Sequence, residues 1–245
     1  MSHLHRFYSE SLDADASTVE LSGEEAHHAV RVVRLRPGDA VSLFDGKGLE
    51  VIGSYEGGTK HAASVRVIRA VRHVPPQVRV TLAVGGLHRD KPQEEVVRRA
   101  TELGACRVYF WDGDHSQRPV KHSDRWRKTA VEACKQCGRF FLPVVDTVSS
   151  LDAFLDSLAG PVVMAALSEK ADAAPAVNAT DRLALLIGPE GDFSDRELAL
   201  ALEVGAIPVS LGKHVYRSEV AASLLLTIVA HTLGELGPAL HIIVE

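Results

Sequence analysis

From Val78 onward the chain alternates short apolar runs with longer segments of helical periodicity, and that alternation constrains the fold more than any other feature. "VRVTLAVGG" (Val78–Gly86), "CRVYFW" (Cys106–Trp111), "PVVMAAL" (161–167), "RLALLIG" (182–188) and "AIPVSLG" (206–212) read as strands. Between and after them, "PQEEVVRRATELGA" (Pro92–Ala105), "SDRWRKTAVEACKQCG" (Ser123–Gly138), "SDRELALALEVG" (Ser194–Gly205) and "SEVAASLLLTIVAHTLGEL" (Ser218–Leu236) read as helices, several with a Ser start and a Gly stop. The strands are apolar nearly throughout instead of alternating. Both of their faces must therefore be covered, which predicts an α/β fold with a parallel sheet between two layers of helix.

The first 75 residues have a different rhythm. "AVSLFDG" (Ala40–Gly46), "GLEVIGSYE" (Gly48–Glu56) and "ASVRVIRAVR" (Ala63–Arg72) read as strands joined by glycine turns, with one helix expected over "SGEEAHHAVRVVRL" from Ser22. Several short strands with one helix predict a small β-barrel. The proline-marked "HVPPQ" (His73–Gln77) sets the expected boundary, giving a barrel domain over 1–74 and an α/β domain over 75–245. Charge divides the chain too. Lys plus Arg against Asp plus Glu is 9 to 10 over residues 1–75, 13 to 8 over 76–145 and 5 to 14 over 146–245. The basic middle is where a phosphate backbone can be held, and the acidic last part is not.

Two glycine-bearing turns stand where strands end and helices begin: "IGPEGDF" (Ile187–Phe193) and "LGKHVYRSEVAA" (Leu211–Ala222). In a parallel sheet, ligands sit beyond the carboxyl ends of the strands. Together with "ALSEKA" after the 162–167 run, these exits can converge on one pocket. Gly188, Gly191 and Gly212 let backbone groups approach a ligand closely. Neither turn has the spacing of a phosphate-binding loop. Read locally, "GPEGDFS" is equally a strand–turn–helix with Asp192 or Ser194 as the cap.

"LLIGPEGDFSDRELALALEVGAIPVSLGKHVYRSEVAASLLL" resembles the signature region of the bacterial 16S rRNA (uracil-N3)-methyltransferases, the RsmE type of the SPOUT superfamily. "HRFY" near the start, "HHAVRVVRLRPGDAVSLFDGKG" (His27–Gly48), "RATELGACRV" (Arg99–Val108) and "RWRKTAVEACKQCGR" (Arg125–Arg139) resemble the same family in the same order. The resemblance implies a PUA-like barrel, a methyltransferase domain with a deep trefoil knot, a homodimer, S-adenosylmethionine as cofactor, and the 16S rRNA of the small ribosomal subunit as partner. It implies a cofactor pocket built from Leu167, Gly188, Pro189, Glu190, Gly191, Leu211, Gly212, Val215 and Arg217. It implies reaction at Arg217, Ser218, Glu219 and Glu190, with the Arg217 guanidinium stabilising the uracil anion. RNA contacts are expected from Arg6, Arg31, Arg34 and Arg36, and from Arg89, Lys91, Lys135 and Arg139. The family pattern is broken at three positions: Asp192 replaces a glycine, Tyr216 a leucine and Val220 a threonine. These departures motivate a competing reading, a non-catalytic RNA-binding or ribosome-assembly protein that keeps the fold.

No apolar run is long enough to span a bilayer and no signal-peptide core follows Met1, so a cytoplasmic protein is expected. The three cysteines fit a reducing compartment, and Cys134-x-x-Cys137 lacks the second pair that a zinc site needs; no metal is expected.

Overall fold

The computed structural model describes residues 4–166 and 181–237. The chain divides into two units: one made of residues up to Pro76 together with Val131–Leu142, the other of Gln77–Ala130 and the chain from Pro143.

In the first unit, strands β1 (His5–Tyr8), β2 (Thr18–Ser22), β3 (Ala40–Phe44), β4 (Leu49–Gly58) and β5 (Ala62–Arg72) form a sheet of order β1-β3-β4-β5-β2. Only the β1–β3 pair is parallel. The long β4–β5 ladder carries irregularities at Ile52/Gly53 and Tyr55/Gly57, which bend and twist it. Inward residues Phe7, Leu21, Val41, Leu43, Val51 and Val65 make a core closed by Ala26 and Ala29. Strands β1 and β2 are not among those expected from the sequence: β1 is too short to show an alternation, whereas β2, "TVELS", does alternate between exposed and buried residues. The expected helix from Ser22 is shorter than its pattern: α1 spans Gly23–His27, and Ser22 gives no side-chain cap. The chain then widens into a π-helical turn, His28–Val33, ended by Arg34 in the left-handed region and by Leu35 N–H donating to Ala29 O at 3.1 Å. Glu25 is drawn inward, accepting from Tyr8 N–H at 3.3 Å and from the Lys135 ammonium at 2.9 Å.

The second unit holds strands β6 (Arg79–Gly85), β7 (Arg107–Trp111), β8 (Val144–Val148), β9 (Val162–Ala165), β10 (Arg182–Ile187) and β11 (Ile207–Val209). They form one sheet of order β11-β9-β10-β6-β7-β8, and every pair is parallel. Its helices are α2 (Asp90–Glu102), α4 (Leu151–Asp156), α5 (Asp195–Glu203) and α6 (Ser218–Thr232), with the start of α3 (Asp124–Cys137). Ala83, Trp111, Met164, Ala184 and Leu186 point to the face where α4 and α5 pack through Phe154, Leu155 and Ala201. The alternate residues face the other way, where α6 lies on β6 and β10 and Trp126 of α3 packs its ring 4.9 Å from that of Phe110. Both faces are thus covered, as the apolar strands require.

Two elements escape the sequence pattern. Strand β8 is an edge strand with a polar centre, "VVDTV", and α4 is a helix of six residues held by Ala153 N–H donating to the Ser150 hydroxyl at 3.2 Å. The expected strand 161–167 ends at Ala165. Among the described residues no helix is long and apolar enough to cross a membrane.

Leu186 is fully buried in the central strand β10, and truncating it leaves a cavity between two packed layers. Leu186→Ala is expected to cost about 2–5 kcal/mol, read as a lower urea midpoint. Val144→Thr, at a 53% exposed edge position, is expected to stay within about 0.5 kcal/mol of the parent.

Candidate active site

Strand β10 lies between β6 and β9, so the chain leaves β6 and β10 side by side at the carboxyl edge of the sheet. The approach there is close: a Cβ on Gly85 would collide with the Pro189 ring, so β6 must end in glycine for the next loop to cross it. The exits of β9, β10 and β11 enclose a cavity of about 280 Å³. Ala165 and Ala166 form one wall, Ile187 to Glu190 with Asp192 a second, and Leu211 with His214 to Ser218 a third; Ala221 of α6 adds to the lining. Of the residues expected to hold a cofactor, Gly188, Pro189, Glu190, Leu211, Val215 and Arg217 line it. Gly191 and Gly212 shape the turns without lining the space, and Leu167 lies outside the described residues. Of the residues expected to react, Arg217, Ser218 and Glu190 line the cavity, and Glu219 does not.

The Gly188–Phe193 loop is fixed from several sides. Asp192 N–H donates to Pro189 O at 3.0 Å, closing a tight turn. Asp192 itself has φ +63°, which explains why a glycine suits this place; Asp is among the few other residues that tolerate it. Its carboxylate accepts from Phe193 N–H at 2.8 Å, so Asp192 stabilises the turn and Ser194 is the helix cap. The His115 Nδ1–H donates to Gly191 O at 3.0 Å and Asp192 O at 3.1 Å; because both partners are carbonyls, the proton sits on Nδ1. A Cβ on Gly191 would come within 2.8 Å of the His115 Cβ. Across the cleft between β6 and β10, Glu190 accepts from His88 N–H at 2.8 Å.

Behind the loop, Ser194 and Glu197 form a reciprocal cap on α5. Glu197 is fully buried, and its carboxylate also accepts from Trp111 Nε1–H at 3.1 Å and Asp114 N–H at 3.3 Å. Asp114 accepts from the Ser194 hydroxyl at 2.6 Å and from Arg196 at 3.0 and 3.1 Å, and Arg196 reaches on to Asp152. The hydrogen bonds from Arg196, then that from Ser194, hold the Asp114 carboxyl down at about 2. None of this support showed in the sequence; its one local trace was the S-x-x-E spacing of Ser194 and Glu197.

Arg217 occupies the cap position of α6 in extended conformation and is exposed. No ion pair joins it to Glu219 among the described residues, so its charge is available at the cavity. Gly212, at φ +119°, carries the third wall round its turn, and Tyr216, edge-on to His214, faces the cavity.

Among the expected RNA contacts, Arg31, Arg34 and Arg36 in the first unit and Arg89 and Lys91 in the second are exposed. Lys135 is not: its side chain is 7% exposed, and its ammonium is held by Glu25 at 2.9 Å, Glu132 at 3.0 Å and His28 at 3.1 Å. Burial, and then the Lys135 charge, lower the His28 pKa. Arg6 lies 5.9 Å over the Phe140 ring, and the half-buried Arg139 is engaged as well. Cys134 is buried against Phe141 O, and burial pushes its thiol up to about 12, which makes it a packing residue.

A parallel sheet with a loop-built cavity at its carboxyl edge defines a class, and comparison names it. Residues 74–230 match the RNA methyltransferase domain, and residues 21–68 match the PUA domain of RNA methyltransferases. The ribosomal RNA small subunit methyltransferase E of Mycobacterium bovis is 30% identical over 90% of this chain and 88% of its own length. That of Synechocystis is 30% identical over 86% and 72%. A Legionella pneumophila protein described as a methyltransferase, solved with bound cofactor SAM, superposes with a TM-score of 0.80 at 27% identity, over 94% of this chain and 98% of that one. The chain belongs to the ribosomal RNA small subunit methyltransferase E family.

The Asp114 carboxyl is depressed in the folded chain, so its contribution is fully present above the ordinary carboxylate range and is lost as pH falls through about 2. Asp114→Asn is therefore expected to lower the urea midpoint at neutral pH, with the gap to the parent closing between pH 4 and pH 2. A pH series of unfolding curves on both proteins checks this.

Proposed function

We propose that this protein uses S-adenosylmethionine to methylate N3 of a uridine in the 16S rRNA of the small ribosomal subunit. The observation that carries the reading is the cavity shared by the β9, β10 and β11 exits, together with family membership over nearly the whole chain. The cavity's chemistry fits that cofactor. Ala165, Ile187, Leu211 and Ala221 offer apolar surface for a base and a methionine chain; Glu190 and Asp192 offer negative charge beside a sulfonium and an ammonium. The main chain of the Gly188–Asp192 and Leu211–Arg217 turns offers hydrogen bonds. When bound, the cofactor supplies a methyl group already activated on sulfur.

What the chain must add is alignment and help with a proton. The imino N3 of uridine is a poor nucleophile until deprotonated. Arg217, a guanidinium free of a carboxylate partner among the described residues, is placed in this reading to stabilise the uracil anion as N3 loses its proton. Ser218, 5% exposed and lining the cavity, is the first residue of α6, next to Arg217. Glu190 is the carboxylate in the cavity wall and the candidate acceptor for that proton, with one oxygen already anchored on His88. Glu219, outside the lining, serves in this reading to orient Arg217 once RNA is bound.

The RNA contacts, in this reading, are the exposed Arg31, Arg34 and Arg36 in the PUA domain and, in the methyltransferase domain, Arg89 and Lys91. Lys135, Arg6 and Arg139 support the PUA domain from within. A homodimer is supported by α6, whose Val220 and Ile228 are 42% and 51% exposed, eight residues apart and so on one face. The insertion of β10 between β6 and β9 supports the knot that the family resemblance implies. The site of action is the cytoplasm, where ribosomal subunits are found.

Arg217→Ala is expected to keep cofactor binding in calorimetry and to lower methyl transfer to small-subunit rRNA by about 10²–10³-fold. Absence of cofactor binding by the intact protein would sink the reading; unchanged transfer by the variant would remove Arg217 from it.

A further inference from the structure

A second cavity, of about 400 Å³, opens at the exits of β6 and β7 in the methyltransferase unit. Arg118, Lys121 and His122 line it from the β7–α3 loop, Asp90 and Gln93 line it from α2, and the buried ring of Trp126 forms its floor. The cations outnumber the carboxylates. Arg118 pairs with Asp90, whereas Lys121 and His122 have no ion pair among the described residues; His122 stands edge-on to Trp126 with ring centroids 5.5 Å apart. Next in sequence to the lining residues stand Arg89, Lys91, Glu94, Asp124 and Arg125, with Arg125 and Glu94 paired at 3.7 Å. Arg118, Lys121 and His122 are all exposed, so the cavity is reachable from solvent by a polymer lying across it.

Its floor is tied to the first cavity. Gln93, 4% exposed, donates its carboxamide N–H to Leu87 O at 3.0 Å, and the next residue, His88, donates its N–H to Glu190 at 2.8 Å. The Leu87–His88 loop thus holds one lining residue of each space, Gln93 of the cationic one and Glu190 of the first.

We infer that this second cavity is a phosphodiester-binding subsite, holding the backbone of the RNA substrate while the target base enters the neighbouring cavity. The inference rests on the proposed rRNA-methyltransferase reading. Arginine and lysine converging on one concave site without an equal number of carboxylates select an anion, and phosphate contacts fix register while reading no sequence. Asp90 plays a definite part: it holds Arg118 in place in the free protein and competes with the incoming phosphate for it.

The test uses filter binding of small-subunit rRNA over a series of KCl concentrations, with calorimetric S-adenosylmethionine binding on the same preparations. Lys121→Ala and Arg118→Ala are each expected to weaken RNA binding about three- to tenfold near 0.1 M salt and to flatten the log–log salt slope by about 0.7–1. Asp90→Asn is expected to tighten RNA binding, and all three are expected to keep the parent's cofactor affinity. RNA affinity and salt slope unchanged in Lys121→Ala and Arg118→Ala, with the parent binding both ligands, would overturn the subsite alone. A parent that binds neither rRNA nor cofactor would overturn the enzyme reading with it.

Discussion

One buried carboxylate holds the site together. Glu197 takes hydrogen bonds from the Trp111 indole at the end of β7, from the Asp114 backbone in the next loop and from the Ser194 backbone at the start of α5. A buried charge without partners costs several kcal/mol, on the order of what a whole domain has to spare. These three donors are therefore required together, and they come from elements distant in sequence. The consequence is that the β7 exit and the β10–α5 turn have a fixed separation. His115, three residues after Asp112 on the same exit, then reaches the carbonyls of Gly191 and Asp192. The cofactor loop is shaped from behind, which leaves its inner surface free for a ligand.

The parallel sheet was legible because its inner strands are apolar on both faces and alternate along the chain with helical segments that cover them. The glycine turns were legible because the chain can turn so sharply only there. Asp192 shows the limit: its place in the sequence marks a departure, but its left-handed backbone, which makes the residue tolerable, is a property of the folded turn. Strand β8 and helix α4 were not legible, since an edge strand needs little apolar character and a six-residue helix has no period. The π-helical turn after α1 follows a good helical pattern and departs from it where Glu25 and His28 are committed to Lys135. That same commitment takes Lys135 out of the RNA-facing set, although its place in a basic stretch of sequence put it there. The Glu197 network was invisible for a simpler reason. Asp114 and Trp111 lie 83 and 86 residues away from Glu197, and only the capping spacing is local.

In the proposed function the two cavities divide the work of a methyl transfer to RNA. The first is small, partly apolar and lined by main chain, which suits a compact ligand with a cationic centre. The second is cationic and lined by exposed side chains, which suits a polyanion. The Leu87–His88 loop holds a lining residue of each, accepting from Gln93 and donating to Glu190, so the proposed backbone capture and base placement would be anchored on one segment. Alignment of this kind is the main lever when the transferred group is already activated.

The most direct measurement is to incubate the protein with methyl-labelled S-adenosylmethionine and small-subunit rRNA, digest the RNA to nucleosides and identify the labelled one by mass spectrometry. The account predicts label in N3-methyluridine. Label in a different nucleoside would contradict the assignment of the reacting atom, and no label in RNA that the protein binds would contradict the account as a whole.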